Sequence, residues 1–151
     1  MKLFTNVYLV ILFSLLFNGC GESSSSSVEK TEAGGVDISL NNKNCSLSVD
    51  NKKVGDVAMK PACYFVKGSA SGKINIKYYK DIDTHVLLLV GTISPKDKDY
   101  PLTLKRNDCG TQIQALLIKG GEATLSKVSS NTLICAGVGT DEKMFYILSH
   151  P

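Results

Sequence analysis

Apolar residues recur with period two in many short runs of this chain, and this spacing constrains its fold more than any other feature. Ile74, Ile76 and Tyr78 alternate with polar residues, and Leu47 and Val49 alternate with serines. Successive side chains of an extended strand point to opposite faces, so such a run has one apolar face and one wet face. The pattern therefore predicts half-buried β-strands.

Residues 85–93 follow a different pattern, because Val86 to Val90 are apolar without a break. Such a run fits a central strand that is covered on both faces. Further along, Gly120-Gly121 separates residues 111–119 from residues 122–128. Two glycines supply the positive backbone angles of a tight turn, so we predict a hairpin there. A helix is the alternative for the first of these segments, but its short length and bounding glycines favour a strand.

The last segment, residues 144–150, is predicted as a strand with Phe145 and Ile147 on one face. A short helix starting at Thr140 is the alternative. About nine strand candidates follow residue 36, and none of these stretches has the pattern of a long amphipathic helix. The sequence therefore predicts a mostly β fold, either an antiparallel sandwich or a small barrel.

Four cysteines lie in this strand-rich region, namely Cys45, Cys63, Cys109 and Cys135. They can form two disulfides in one of three pairings. We favour Cys45 with Cys63 and Cys109 with Cys135, because cysteines near in sequence join neighbouring hairpins easily; the other pairings stay open. Zinc binding is disfavoured, since no Cys-x-x-Cys spacing occurs.

The fifth cysteine, Cys20, follows a segment typical of export. Lys2 gives a positive start, Leu3 to Phe17 are largely apolar, and Gly19 precedes the cysteine. An apolar core of this length fits a secretory signal and is short for a membrane-spanning helix. These residues resemble the N-terminal signal of bacterial lipoproteins, although the two residues before Gly19 depart from the leucine and small residue usual there.

The resemblance implies that Cys20 is lipidated, becomes the first residue of the mature chain and anchors it in a bilayer. Gly21 in place of aspartate favours the outer membrane under the enteric sorting rule. Ordinary cleavage near Gly19 and an uncleaved single-pass anchor are the alternatives. Lipidation also uses the odd cysteine, so the other four fit an oxidising compartment.

The sequence predicts three parts along the chain. Residues 1–19 are the signal peptide, residues 20–35 are the lipidated cysteine and a flexible tether rich in serine and glycine, and residues 36–151 are the folded part. Small polar residues offer too little apolar surface to fold, which favours the tether. The length of the third part fits a single domain.

Charge and motifs exclude several classes of partner. The net charge of +3 is mild, and the adjacent cations of the folded part are Lys52-Lys53 and Lys105-Arg106. Nucleic-acid binding needs a denser basic stripe, so we expect no nucleic acid partner. The segment Gly137-Val138-Gly139-Thr140 resembles part of a phosphate-binding loop but lacks the residues that complete either known motif. We expect no cofactor and no metal.

Asp141, Glu142 and Lys143 form the densest charged cluster of the folded part, directly after this glycine loop. Loops at the ends of sheets often carry function, so these three residues are the predicted contact loop. No catalytic motif with a nucleophile and its base occurs in the folded part, and we expect no catalytic residue.

These features predict an anchored, extracytoplasmic, non-catalytic binding module. Its partner would be an envelope protein or peptidoglycan, and an inhibitor or immunity factor against a hostile enzyme is the more specific form. The alternative is a small envelope hydrolase whose site is assembled from His85, Asp83 and Asp141, because a histidine near carboxylates can act as a base.

Overall fold

The computed structural model describes residues 27–92 and 107–151. The predicted signal peptide, residues 1–19, and Cys20 lie outside the described residues. The secondary structure is β1 (Val28–Ala33), β2 (Val36–Asn41), β3 (Ser46–Val49), β4 (Lys52–Lys53), β5 (Cys63–Phe65), β6 (Ile76–Tyr79), β7 (Thr84–Gly91), β8 (Cys109–Lys119), β9 (Glu122–Leu125), β10 (Ser129–Cys135) and α1 (Glu142–Ser149).

The strands form two antiparallel sheets. The first sheet is a meander in the order β1-β2-β3-β4. In the second sheet β7 and β8 pair in the middle, β5 and β6 pair with the two halves of β7, and β9 and β10 pair with the two halves of β8. The mostly β antiparallel fold is confirmed, and over the described residues it takes the form of a sandwich.

Strand β7 is central because its apolar run is covered on both faces, as the sequence predicts. Leu87 and Leu89 lie in one core with the first sheet, whereas Val86, Leu88 and Val90 lie in a second core beneath α1. The first core also holds Ile38, Leu40, Leu47, Phe65, Leu116 and Ile118, and the second also holds Ile113, Ala115, Phe145 and Leu148. The fold thus has three layers: first sheet, second sheet and helix.

Both favoured disulfide pairings are confirmed. The bond between Cys45 and Cys63 joins the first sheet to β5 of the second, and the bond between Cys109 and Cys135 joins residues paired in register on β8 and β10. The bridged cysteines are 18 and 26 residues apart in sequence. Closing loops of this size stabilises a fold by about 3 kcal/mol each in the chain-entropy model. The predicted hairpin at Gly120-Gly121 is also confirmed, since β9 pairs directly with β8.

The flexible tether predicted for residues 20–35 is wrong in its last part, and the folded unit begins before residue 36. Val28–Ala33 form β1, and Gly34 and Gly35 make the turn into β2 with φ angles of 60° and 77°. The polar composition of β1 hides it from sequence reasoning. Its partner β2 provides the backbone hydrogen bonds and the buried side chains Val36, Ile38 and Leu40.

Glu29 holds this polar strand against the second sheet. Its carboxylate accepts hydrogen bonds from the backbone N–H of Phe65 at 2.9 Å and from the side-chain amide of Asn42 at 3.1 Å. The same carboxylate pairs with the Lys67 ammonium at 3.0 Å. One half-buried acidic side chain therefore connects β1, the loop after β2, and the end of β5.

The strand predicted for residues 144–150 is also wrong, because this segment belongs to α1. Phe145 and Leu148 are three residues apart and both enter the second core. A helix places such residues on one face, whereas a strand would place them on opposite faces. The alternative of a short helix starting at Thr140 was close, since α1 begins at Glu142 with Asp141 as its N-cap.

We expect Glu29→Ala to lower the free energy of unfolding by about 2 kcal/mol, because it leaves the Phe65 N–H and one N–H of the Asn42 amide without an acceptor. Chemical denaturation of the full chain in detergent, followed by circular dichroism, measures this change. Glu32→Ala is the control, since Glu32 is exposed on the same strand; its effect should stay below about 0.5 kcal/mol. Equal effects of the two substitutions would show that the Glu29 contacts do not hold β1 against the second sheet.

Candidate functional site

The predicted contact loop forms the N-cap and the first turn of helix α1. The Asp141 carboxylate accepts a hydrogen bond from the backbone N–H of Lys143 at 2.6 Å, which caps the helix. Glu142 lies in the first turn, where a negative charge interacts favourably with the helix dipole. All three residues are exposed. The residues of the predicted contact loop therefore lie on the exposed N-terminal end of a helix.

Glu142 joins this helix to strand β6. Its carboxylate accepts a hydrogen bond from the Tyr79 hydroxyl at 2.8 Å and pairs with the Lys77 ammonium at 2.6 Å. The hydrogen bonds from Lys77 and from Tyr79 hold the pKa of Glu142 below its usual value. Burial, and then the hydrogen bond to Glu142, raises the pKa of Tyr79, so this phenol stays protonated. The contact is thus a charged carboxylate held by two donors.

His150 is the C-cap residue at the other end of the helix. Its Nε2 lies 3.1 Å from the Asp81 carboxylate in the turn between β6 and β7, and its Nδ1 lies 3.0 Å from the backbone carbonyl of Tyr146. The hydrogen bond with His150 holds the pKa of Asp81 below its usual value. The His150 side chain is only 15% exposed, so the imidazole is fixed in position.

Aromatic rings pack between these two polar contacts. The His150 ring stacks on the Tyr146 ring with centroids 4.0 Å apart and planes at 14°. The Tyr79 ring meets both edge-on, at 5.2 Å from His150 and 5.9 Å from Tyr146. Pairs of this kind contribute about 0.5–1.5 kcal/mol each beyond simple burial. We call Tyr79, Asp81, Glu142, Tyr146 and His150 the aromatic cluster.

The C-terminal end of the cluster has the outline of a hydrolase triad. Ser149 Oγ lies 2.9 Å from His150 Nδ1, and His150 Nε2 faces Asp81. A nucleophile, a base and a carboxylate in this order characterise serine hydrolases. However, Ser149 is 6% exposed, and its hydroxyl donates to the Phe145 carbonyl at 2.8 Å. No substrate could reach this hydroxyl without opening the helix. We therefore assign the three residues a structural role, in which they hold the C-terminal end of α1 against the turn between β6 and β7.

The residues of the hydrolase alternative are not brought together. His85 packs on the Tyr78 ring at 4.7 Å and against Gly34, on the side of the second sheet that faces the first. Asp83 accepts a hydrogen bond from the Tyr78 hydroxyl at 2.8 Å. Asp141 caps α1 on the opposite side of that sheet. Within the described residues, no hydrogen bond connects His85 to a carboxylate or a hydroxyl group.

The aromatic cluster and Ser27, the first described residue, lie at opposite ends of β7. The Ser27 carbonyl accepts a hydrogen bond from the backbone N–H of Asn42, whose side chain donates to the Cys63 carbonyl. Cys63 is paired with Gly91, the last residue of β7, whereas Tyr79 is paired with Thr84, the first residue of β7. Because β7 has 8 residues, the two ends are separated by about 23 Å at the rise of an extended strand.

Comparison of this chain with protein-family models, with curated proteins and with solved structures finds no match.

Within the described ranges, 27–92 and 107–151, no group of three or more His, Cys, Asp or Glu side chains could hold a metal ion. No helix there is long and apolar enough to cross a bilayer.

Sequence reasoning names Glu142 but misses the rest of the cluster, because it interprets the last segment as a strand. Glu142, Tyr146 and His150 are four residues apart, and this spacing places side chains on one face of a helix. The spacing is visible in the sequence and would have pointed to a shared surface once the helix alternative was preferred. The part supplied by β6, Tyr79 and Asp81, depends on tertiary packing and gave no such signal.

We expect Glu142→Gln to reduce stability near neutral pH and to flatten its decline in acid. A carboxylate whose pKa is lowered by folding stabilises the folded state above its ordinary value of 4.5, and this stability is lost as the pH falls through the lowered pKa. Thermal unfolding of the full chain between about pH 3 and about pH 7 measures the effect.

Glu122→Gln is the matched control, since Glu122 is an exposed glutamate on β9. Its melting temperatures should follow those of the unsubstituted chain across the same pH range. A Glu142→Gln profile that also follows the unsubstituted chain would show that Lys77 and Tyr79 do not stabilise the charged carboxylate.

Proposed function

We propose that this chain is a lipid-anchored, extracytoplasmic binding module that presents the exposed side of α1 to a partner in the cell envelope. In this proposal Cys20 carries the acyl chains and the domain has no catalytic role. The recognition surface consists of Glu142, Lys143, Tyr146 and Ile147. An inhibitor or immunity factor that blocks a hostile enzyme is its more specific form.

The pairing of the cysteines supports an oxidising, extracytoplasmic compartment. Two disulfides account for four of the five cysteines, which leaves Cys20 for a thioether bond to lipid. Disulfides form and persist in oxidising environments, which include the bacterial periplasm and the cell surface. The resemblance of the first twenty residues to a lipoprotein signal leads independently to the same compartment.

The separation along β7 is the observation that carries the proposal. A chain anchored at Cys20 would enter the domain at Ser27, beside Asn42 and Cys63. The aromatic cluster contacts the opposite end of β7. At the rise of an extended strand, the two ends of β7 are about 23 Å apart. An anchored domain could therefore keep its lipid end and its recognition end apart without any rearrangement.

The side chains of this surface have the chemistry of a protein-binding site. Tyr146 and Ile147 are 50% and 51% exposed, and the charged Glu142 and Lys143 lie one turn before them. Buried aromatic and aliphatic anchors within a polar rim are typical of protein interfaces. Because the Tyr146 ring is already fixed against His150 and Tyr79, it loses little conformational freedom on binding. We therefore favour an envelope protein as the partner over peptidoglycan.

A photo-crosslinking amino acid in place of Ile147, in the full chain in intact cells of the source bacterium, tests this proposal. We expect a discrete protein adduct in the membrane fraction, and its loss when Tyr146→Ala is added. The same amino acid in place of Ser48, on the outer face of the first sheet, is the matched control and should give no adduct.

The anchor is tested in the same cells with Cys20→Ser. We expect the unsubstituted chain to fractionate with membranes and its N-terminal peptide to carry acyl mass, whereas the variant loses both. Adducts at positions 48 and 147 alike, or no adduct at 147, would contradict the recognition surface. A cytosolic chain that keeps its leader and has free thiols would contradict the whole proposal.

A further inference from the structure

Both ring nitrogens of His150 face hydrogen-bond acceptors. Nε2 lies 3.1 Å from the Asp81 carboxylate, and Nδ1 lies 3.0 Å from the Tyr146 carbonyl. An ionised carboxylate and a backbone carbonyl accept but cannot donate. Both contacts are therefore hydrogen bonds only when the two ring nitrogens each carry a proton, which is the positively charged imidazolium.

Neutral imidazole cannot make both bonds, since it has one N–H. If that proton stays on Nε2, the lone pair of Nδ1 faces the Tyr146 carbonyl. The Ser149 hydroxyl, 2.9 Å from Nδ1, could then turn to donate to it, but it would give up its hydrogen bond to the Phe145 carbonyl. Loss of the ring proton thus removes the Nδ1–H bond to the Tyr146 carbonyl and one Ser149 bond within the last turn of α1, which weakens that turn.

Ring packing favours the same protonation state. The His150 ring lies flat against the Tyr146 ring, with centroids 4.0 Å apart. The face of a phenol ring carries partial negative charge and attracts a cation placed over it. A positive imidazolium therefore holds the Tyr146 ring more firmly than a neutral ring does.

Three elements supply the charged and titratable groups around His150. Asp81 faces it from the turn between β6 and β7, Tyr79 from β6, and Tyr146 from α1 itself. Glu142 is one step further away, hydrogen-bonded to Tyr79 and paired with Lys77. The negative Asp81 carboxylate thus directly stabilises a positive charge on His150. The Lys77 ammonium is paired with Glu142 instead.

We infer that His150 is a pH switch, whose protonation strengthens the attachment of the last turn of α1 to the turn between β6 and β7 and so holds Tyr146 in its exposed position. Histidine gains or loses its proton between about pH 5 and 8, and an extracytoplasmic domain experiences the pH of its surroundings. As a regulator of recognition, the switch rests on the proposed function. The structural change itself belongs to the free protein and can be measured without a partner.

Amide hydrogen exchange of the full chain in detergent, corrected for the intrinsic pH dependence of exchange, tests the switch. We expect the protection factors of the amides of residues 146–150 to be about fivefold higher at the acid end of the histidine range than at its alkaline end. His150→Gln should flatten this dependence to within about twofold. Asp81→Asn keeps the imidazole and removes the opposing charge, so it should reduce the dependence by more than half.

His85→Gln is the matched control, because His85 is the other histidine of the chain and contacts Tyr78 rather than α1. It should leave the pH dependence of residues 146–150 unchanged. A flat profile in the unsubstituted chain, or an unaltered profile in both His150→Gln and Asp81→Asn, would overturn the switch. A flat profile alongside an intact crosslink at position 147 would overturn the switch alone, and loss of that crosslink would overturn the proposed function.

Discussion

The residues from Val86 to Val90 form a strand that has to be covered on both faces, and the rest of the structure depends on this requirement. Burial of apolar surface contributes roughly 25 cal/mol per Å², so exposure of either face would be costly. The first sheet covers Leu87 and Leu89, and α1 covers Val86, Leu88 and Val90. A helix of 8 residues is marginal by itself in water. Its packing on β7 therefore explains why it forms, and its position explains why the aromatic cluster exists.

The two ends of the sandwich are built differently. At the end where the described chain begins, a disulfide, the half-buried Glu29 carboxylate and the Asn42 side chain join the two sheets. At the other end, α1 is joined to β6 and the following turn by side-chain contacts of Glu142 and His150. In the proposed function, the covalently joined end is the one nearest the anchor, and the end joined by titratable groups is the one that recognises the partner.

Sequence reasoning reached the parts of the fold that depend on local pattern. Period-two runs and the Gly120-Gly121 turn led to the strands and the hairpin, and proximity in sequence led to the disulfide pairing. It failed for β1, because this polar strand is held by a hydrogen bond from the Phe65 N–H of β5 to the Glu29 carboxylate. These two residues are far apart in sequence. It also failed for α1, because alternation and helical spacing are difficult to distinguish over so short a segment. The contact-loop residues stay a prediction, and the partners of Glu142 on β6 depend on packing that the sequence does not display. The lipid anchor at Cys20 stays a prediction.

Consecutive leucines of β7 face different layers, and methyl nuclear Overhauser effects measure this arrangement. In the full chain in detergent micelles, with leucine and phenylalanine labelled, the Leu88 methyls should show effects to the Phe145 ring. The Leu87 and Leu89 methyls should instead show effects to Leu40 and Leu47 of the first sheet. Effects from Leu87 and Leu88 to the same layer would contradict the three-layer arrangement and the surface derived from it.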